Sequence, residues 1–308
     1  MAPVTAFERH RAEVRERLRA AGVSRSGPGS VSWKINREII VVAGWGRAIL
    51  LQLAHPLVAA GVDAHSTFRG SLKASFGRFC GTVGAMLSLT FGDEDEAIST
   101  AARINVIHDR VSGRLETPAG AFPAGASYSA HDAELLRWVH ATLLDSIPLT
   151  YELLVGPLAA DEKERYCVEG AVMEPLLEIP PGLLPRNVAD LNAYIEEVLG
   201  SGRIAVTDSS RALARALLFP PHWRFLWPAF RPVQLITIGL LPPDLREAYG
   251  FTWTARDARS LARWTIFLKL VLRLTPAFAR QWPSARRRPG RRAHTAAARQ
   301  RENPVALP

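Results

Sequence analysis

The chain of 308 residues is long enough to bury one large core, and its 48% hydrophobic and 22% charged content excludes a disordered or membranous body. The formal charge of +9 gathers at one end: residues 286–301, "RRRPGRRAHTAAARQR", hold seven arginines and no acid, which argues against a folded nucleic-acid-binding face. Two cysteines, Cys80 and Cys167, neither in a CxxC pair, exclude a disulfide framework and a thiolate metal site and point to a reducing cytoplasm.

Apolar residues recur at helical spacing along almost the whole chain with no run of alternating strand residues, so an all-α, single-domain fold is expected. A first helix is predicted over 3–21, with Glu and Arg three or four apart and no apolar stretch of the kind a secretory signal needs. With the linker "GVSRSGPGSVS" it makes residues 1–30 an N-terminal helix and linker, ahead of a main body over 31–282 and a basic, disordered tail over 283–308. Residues 33–53 read as one long buried helix. The longest apolar stretch, between Arg47 and Asp63, is broken by His55 and Pro56 and falls short of the ~20 residues of a membrane span, so no transmembrane helix is expected.

Helices follow at 71–91 and at 93–112, the latter with Asp93 as N-cap, Gly113 as C-cap and acids in its first turn, where the helix dipole favours them. Further helices are expected at 130–146, 161–177, 187–200, 209–218, 228–240 and 255–274. The Gly- and Pro-rich segment between Gly113 and Ala130 reads as a loop.

No GxGxxG after a strand, GxxxxGK[ST], HExxH or GxSxG is present. What remains is a histidine-centred set: His55 and His65, then Arg78 and Thr82, then His108. Arg78 and Thr82 are four apart and so share one helix face. His108 sits at the edge of the Ile104, Ile107, Val111 stripe, where an imidazole is either a hydrogen-bonded core residue or a metal ligand. His55 and His65, ten apart with a proline and a glycine between, have no metal-ligand spacing. They are structural groups or supports for a bound cofactor, with Asp63 a cap for the next helix. His131, His140 and Trp138 pack or line a cavity, and Tyr128 donates into a site or caps a helix.

Taken together, "WKINREIIVVAGWGRAILLQLAHPLVAAGVDAHSTFRG", "RFCGTVGAMLSLTFGDEDEAI", "INVIHDRVSG" and "YSAHDAELLRWVHATLL" resemble the MpaB oxygenase family, which shares its catalytic domain with the rubber oxygenases (latex clearing proteins). The similarity covers residues 33–194 and, more weakly, runs to 264. It implies an all-α domain enclosing haem b and an oxygenase reaction with dioxygen on a lipophilic, isoprenoid-type substrate. By the same resemblance His108 is the axial iron ligand, with Arg78 and Thr82 on the cavity wall beside the haem as catalytic and cofactor-binding groups. The acidic base proposed in rubber oxygenases has no counterpart upstream of Arg78, where Asp63 and His65 stand. His65 is a catalytic candidate and His55 a cofactor-binding one, each in a supporting or structural place around the haem. A non-catalytic helical carrier of haem or a lipophilic ligand is the rival reading. No specific nucleic-acid partner is expected, and the tail either stays solvated or touches a membrane surface peripherally.

Overall fold

The computed structural model describes residues 4–22, 27–65, 72–219 and 227–286, with the backbone alone at 72–80 and 227–229. The chain is almost wholly helical, in order α1 (Ala6–Ala21), α2 (Val31–Asn36), a 3₁₀ turn (Ile39–Val42), α3 (Ala43–Leu53), α4 (Pro56–His65), α5 (Leu72–Phe91) and α6 (Glu94–His108). A small antiparallel hairpin, β1 (Ser112–Arg114) with β2 (Ser127–Ser129), leads to α7 (Ala133–Leu154), α8 (Ala160–Gly170), α9 (Met173–Leu176), α10 (Val188–Gly200) and α11 (Asp208–Leu218). Then come α12 (Trp227–Gly239), α13 (Pro243–Ala248), α14 (Ala255–Leu274) and α15 (Ala277–Arg280).

The centre of the core is α3 packed along α7, with α12 across α3. Glycine makes that approach possible. A Cβ on Gly44 would collide with the Thr150 side chain of α7, and one on Gly46 with the Thr237 side chain of α12. The same helices are pinned by buried Arg47, which donates to Asp145, to Ser146 Oγ at 2.7 Å and to the Leu240 carbonyl at 2.7 Å. Burying such a guanidinium is tolerable only with this full set of acceptors.

Several expected elements differ. Residues 33–53 are not one helix: the chain leaves α2 at Arg37, and Glu38 pairs with Gln281 in an isolated bridge. The β-branched Ile39, Ile40, Val41, Val42 run then makes only a 3₁₀ turn before α3 starts. Glu38 is 1% exposed and accepts from Gln281 Nε2 at 2.9 Å, so the C-terminal segment compensates the break. The helix expected to stop at 146 runs on to Leu154 through Pro148, because its face is covered by α3. Residues 161–177 divide at Ala171–Val172 into α8 and α9. Helix α6 ends at His108, not 112, and Gly113 is no cap: it sits in β1, where its missing Cβ leaves room for the Tyr128 ring. The basic stretch beyond residue 286 lies outside the described residues.

Candidate active site

Helices α5 and α6 pack against each other through the tight connection at Gly92–Asp93, where the Asp93 side chain caps α6 by accepting from Glu96 N at 2.8 Å. Position 78 lies in α5 and His108 ends α6. Thr82 lies one turn nearer the connection and its side chain is exposed. Arg78 is placed by its backbone only.

His108, the last residue of α6, is half-buried. Its Nδ1 is buried with no hydrogen-bond partner among the described residues. Burial pushes its pKa down to about 4, and the neighbouring His131 pushes the same way against the opposing pull of Glu178 and Asp109. The ring is thus neutral at physiological pH, the form that binds a metal.

Beside it stands a closed ring of alternating imidazoles and carboxylates. His10 of α1 faces Glu178 Oε1 through Nδ1 at 3.0 Å and Asp109 Oδ2 through Nε2 at 2.8 Å. Across the ring, His131 Nε2 lies 2.9 Å from Asp109 Oδ1, and its Nδ1 lies 3.2 Å from Glu178 Oε2 without hydrogen-bond geometry. The His131 ring meets His108 edge to face, centroids 5.7 Å apart. Hydrogen bonds from His10 hold the Asp109 carboxyl below its ordinary range, ahead of the opposing effect of burial. Arg17 donates to Glu178 Oε1 at 3.0 Å, and Glu13 lies 3.4 Å from His10 Nδ1. Glu178 is the one non-glycine residue with positive φ (61°) among the described residues, a conformation that costs on the order of 1 kcal/mol and aims its carboxylate into this ring.

The other sequence candidates sit apart from this cluster. His55 precedes α4, buried against Phe122 with ring centroids 5.1 Å apart, its Nδ1 unpartnered among the described residues. Burial first and Arg203 second lower its pKa to about 4. His65, at the exposed end of α4, faces the Ser112 carbonyl through Nε2 at 3.2 Å and the Tyr128 ring, so it braces the hairpin that continues from α6. Asp63 lies inside α4 and accepts from Ser209 Oγ; the segment leading into the next helix, which it was expected to cap, lies outside the described residues. Tyr128 is buried in the hairpin cluster with Leu57, Leu115 and Leu135. His140 does line a cavity, a small one of about 70 Å³ with Met86, Leu89 and Met173 among its walls.

A cavity of about 490 Å³ lies elsewhere, between Arg215, Phe219, Arg231, Phe251 and Trp253. Among the described residues its lining includes no histidine and one carboxylate, Asp257, which is engaged by Arg231 and by the Thr254 cap. Among the described residues, the imidazoles and carboxylates gather in the histidine cluster. Of its members, sequence reasoning found His108 and noted His131, but missed His10, Asp109 and Glu178. Asp109 could have been found as the neighbour of His108. His10 and Glu178 are 168 residues apart and carry no shared spacing.

The family model described as "ER-bound oxygenase mpaB/B'/Rubber oxygenase, catalytic domain" matches residues 33–270, which include His55, His65, Arg78, Thr82, His108, His131 and Glu178 but not His10. No curated protein and no solved structure matches.

Proposed function

From the premise that the chain belongs to the family of the ER-bound oxygenase mpaB and rubber oxygenase catalytic domain, we propose that it is a haem b-dependent oxygenase that uses dioxygen on a small lipophilic, isoprenoid-type substrate. The observation that carries the cofactor is His108, a neutral imidazole at the end of α6 with a buried, unpartnered ring nitrogen. The donor fits such a group, since a neutral imidazole is the usual holder of haem iron and its buried nitrogen has no partner among the described residues. Beside His108, Ile107 is exposed and Ile104 half-buried, and at Gly81 and Gly84 of α5 no described heavy atom comes within 4 Å of where a Cβ would stand.

Haem, when bound, supplies the one-electron chemistry that dioxygen requires. His108 would hold its iron, as a proximal histidine does. His131, fixed by Asp109 and facing Glu178, stands edge-on to the His108 ring and limits its rotation. Arg78 and Thr82, one turn apart on α5, would contribute donors that orient dioxygen, and the glycine and isoleucine surface would receive an apolar chain. His65, bound to the hairpin backbone, and His55, packed on Phe122, act as supports of the fold around this site.

The test is an absorption spectrum of protein expressed with sufficient haem. An intense Soret band is expected, and it should be lost or shifted in His108→Ala. A protein that folds but shows no band refutes the cofactor, and an unchanged band in His108→Ala removes that residue from the iron. Oxygen uptake with isoprenoid substrates then separates an oxygenase from a carrier, which consumes none.

A further inference from the structure

Helix α14 presents an unusual surface. Leu261, Leu268 and Leu272 pack inward onto Ala43, Leu154 and Ile236, yet no residue of the helix is fully buried. On the opposite side Ile266 (70% exposed), Phe267, Leu270 and Leu274 (77% exposed) lie along one face, and Phe278 of α15 is exposed as well. Along that face the sequence changes character with depth. Arg259 and Arg263 occupy the same helical line one and two turns before Ile266, and Lys269 and Arg273 flank the apolar turns. Residues 258–301 as a whole contain twelve Arg and Lys and not one Asp or Glu.

We propose that the C-terminal half of α14, with Phe278, docks on an anionic lipid surface, the apolar side chains entering the headgroup–acyl boundary and the flanking arginines and lysine meeting the headgroups. Charge decides between this occupant and a second copy of the chain. A symmetric dimer through the patch would bring Arg263, Lys269 and Arg273 of one protomer toward the same cations of its partner, whereas an anionic surface neutralises them. The pattern of large apolar side chains on one face with basic residues around them is that of a helix lying in the plane of a membrane surface. Among the described residues no single helix is long and apolar enough to cross a membrane. The one bent pair of helices that qualifies on length and composition is broken by 105°. The contact proposed here is therefore peripheral.

The experiment is co-sedimentation of the full chain with vesicles of phosphatidylcholine alone or with about one-third phosphatidylserine, beside the double variant Phe267→Glu, Leu270→Glu. Both substituted side chains are exposed, so the variant should keep the wild-type thermal melt by circular dichroism. Binding to the anionic vesicles, weakened by salt, is expected, and the double variant should lose at least about tenfold in partition coefficient. Equal partition of variant and wild type would assign any binding to the arginine-rich tail and overturn the proposal. So would a failure of the wild type to sediment, or a dimer in sedimentation velocity that the double variant dissociates.

Discussion

Titration from about pH 7.5 to about pH 5.5 probes the burial of His140 on α7. Its Nε2 is enclosed among Met86, Leu89 and Met173 with no hydrogen-bond partner among the described residues, and burial lowers its pKa from 6.5 to about 4. Between those values the unfolded chain holds a proton that the folded chain refuses. Stability is therefore complete above pH 6.5 and is lost as the pH falls toward 4. The loss from His140 is on the order of 1 kcal/mol at about pH 5.5 and about 3 kcal/mol once both states are protonated. His55, held down to about 4 by burial and Arg203, adds a similar amount, as does His108 in haem-free protein. Urea unfolding followed by circular dichroism across this window measures the total. In His140→Leu the difference from wild type should change by about 1 kcal/mol between the two ends, as the variant has no proton to exclude. If variant and wild type lose stability in parallel, His140 is not a buried neutral ring and the reasoning fails.

Other substitutions test the packing and the ring. Gly46→Ala should destabilise by about 1–3 kcal/mol through the clash with Thr237, and Thr237→Ala should restore most of it, since that hydroxyl has no partner among the described residues; thermal melts of the single and double variants decide. Arg47→Met should cost about 3 kcal/mol in urea unfolding, near the lower end for a broken buried pair because Asp145 keeps some contact with solvent. His10→Ala, which leaves Asp109 and Glu178 without their bridge, should cost about 2 kcal/mol and make α1 an early site of limited proteolysis; unchanged cleavage there would deny the ring its role in holding that helix.

The helical class and most helix positions were legible because each helix carries its own local signals. Asp93 caps α6 as its residue type and place suggest, and the 3.6-residue spacing marks α14 to its last turn. What was not legible depends on distant partners. The break at Glu38 rests on Gln281, 243 residues away, and the passage of α7 through Pro148 rests on the cover that α3 provides. The same holds at the site. His108 was found through its apolar stripe and the family-like string around it. The groups that fix its surroundings come from α1, from the C-cap of α6, from the turn before α7 and from a left-handed residue after α9.

This arrangement sets the smallest piece of the chain that can work. A fragment cut at the limits of the family match, residues 33–270, would discard His10 and Arg17 while keeping both carboxylates they serve, leaving two negative groups beside His131 with one imidazole to share. It would also strip Arg280 and Gln281 from buried Glu38. The first helix and the last turns, though outside the recognisable domain, are structural parts of it, and trimmed versions should be expected to express poorly whatever their chemistry.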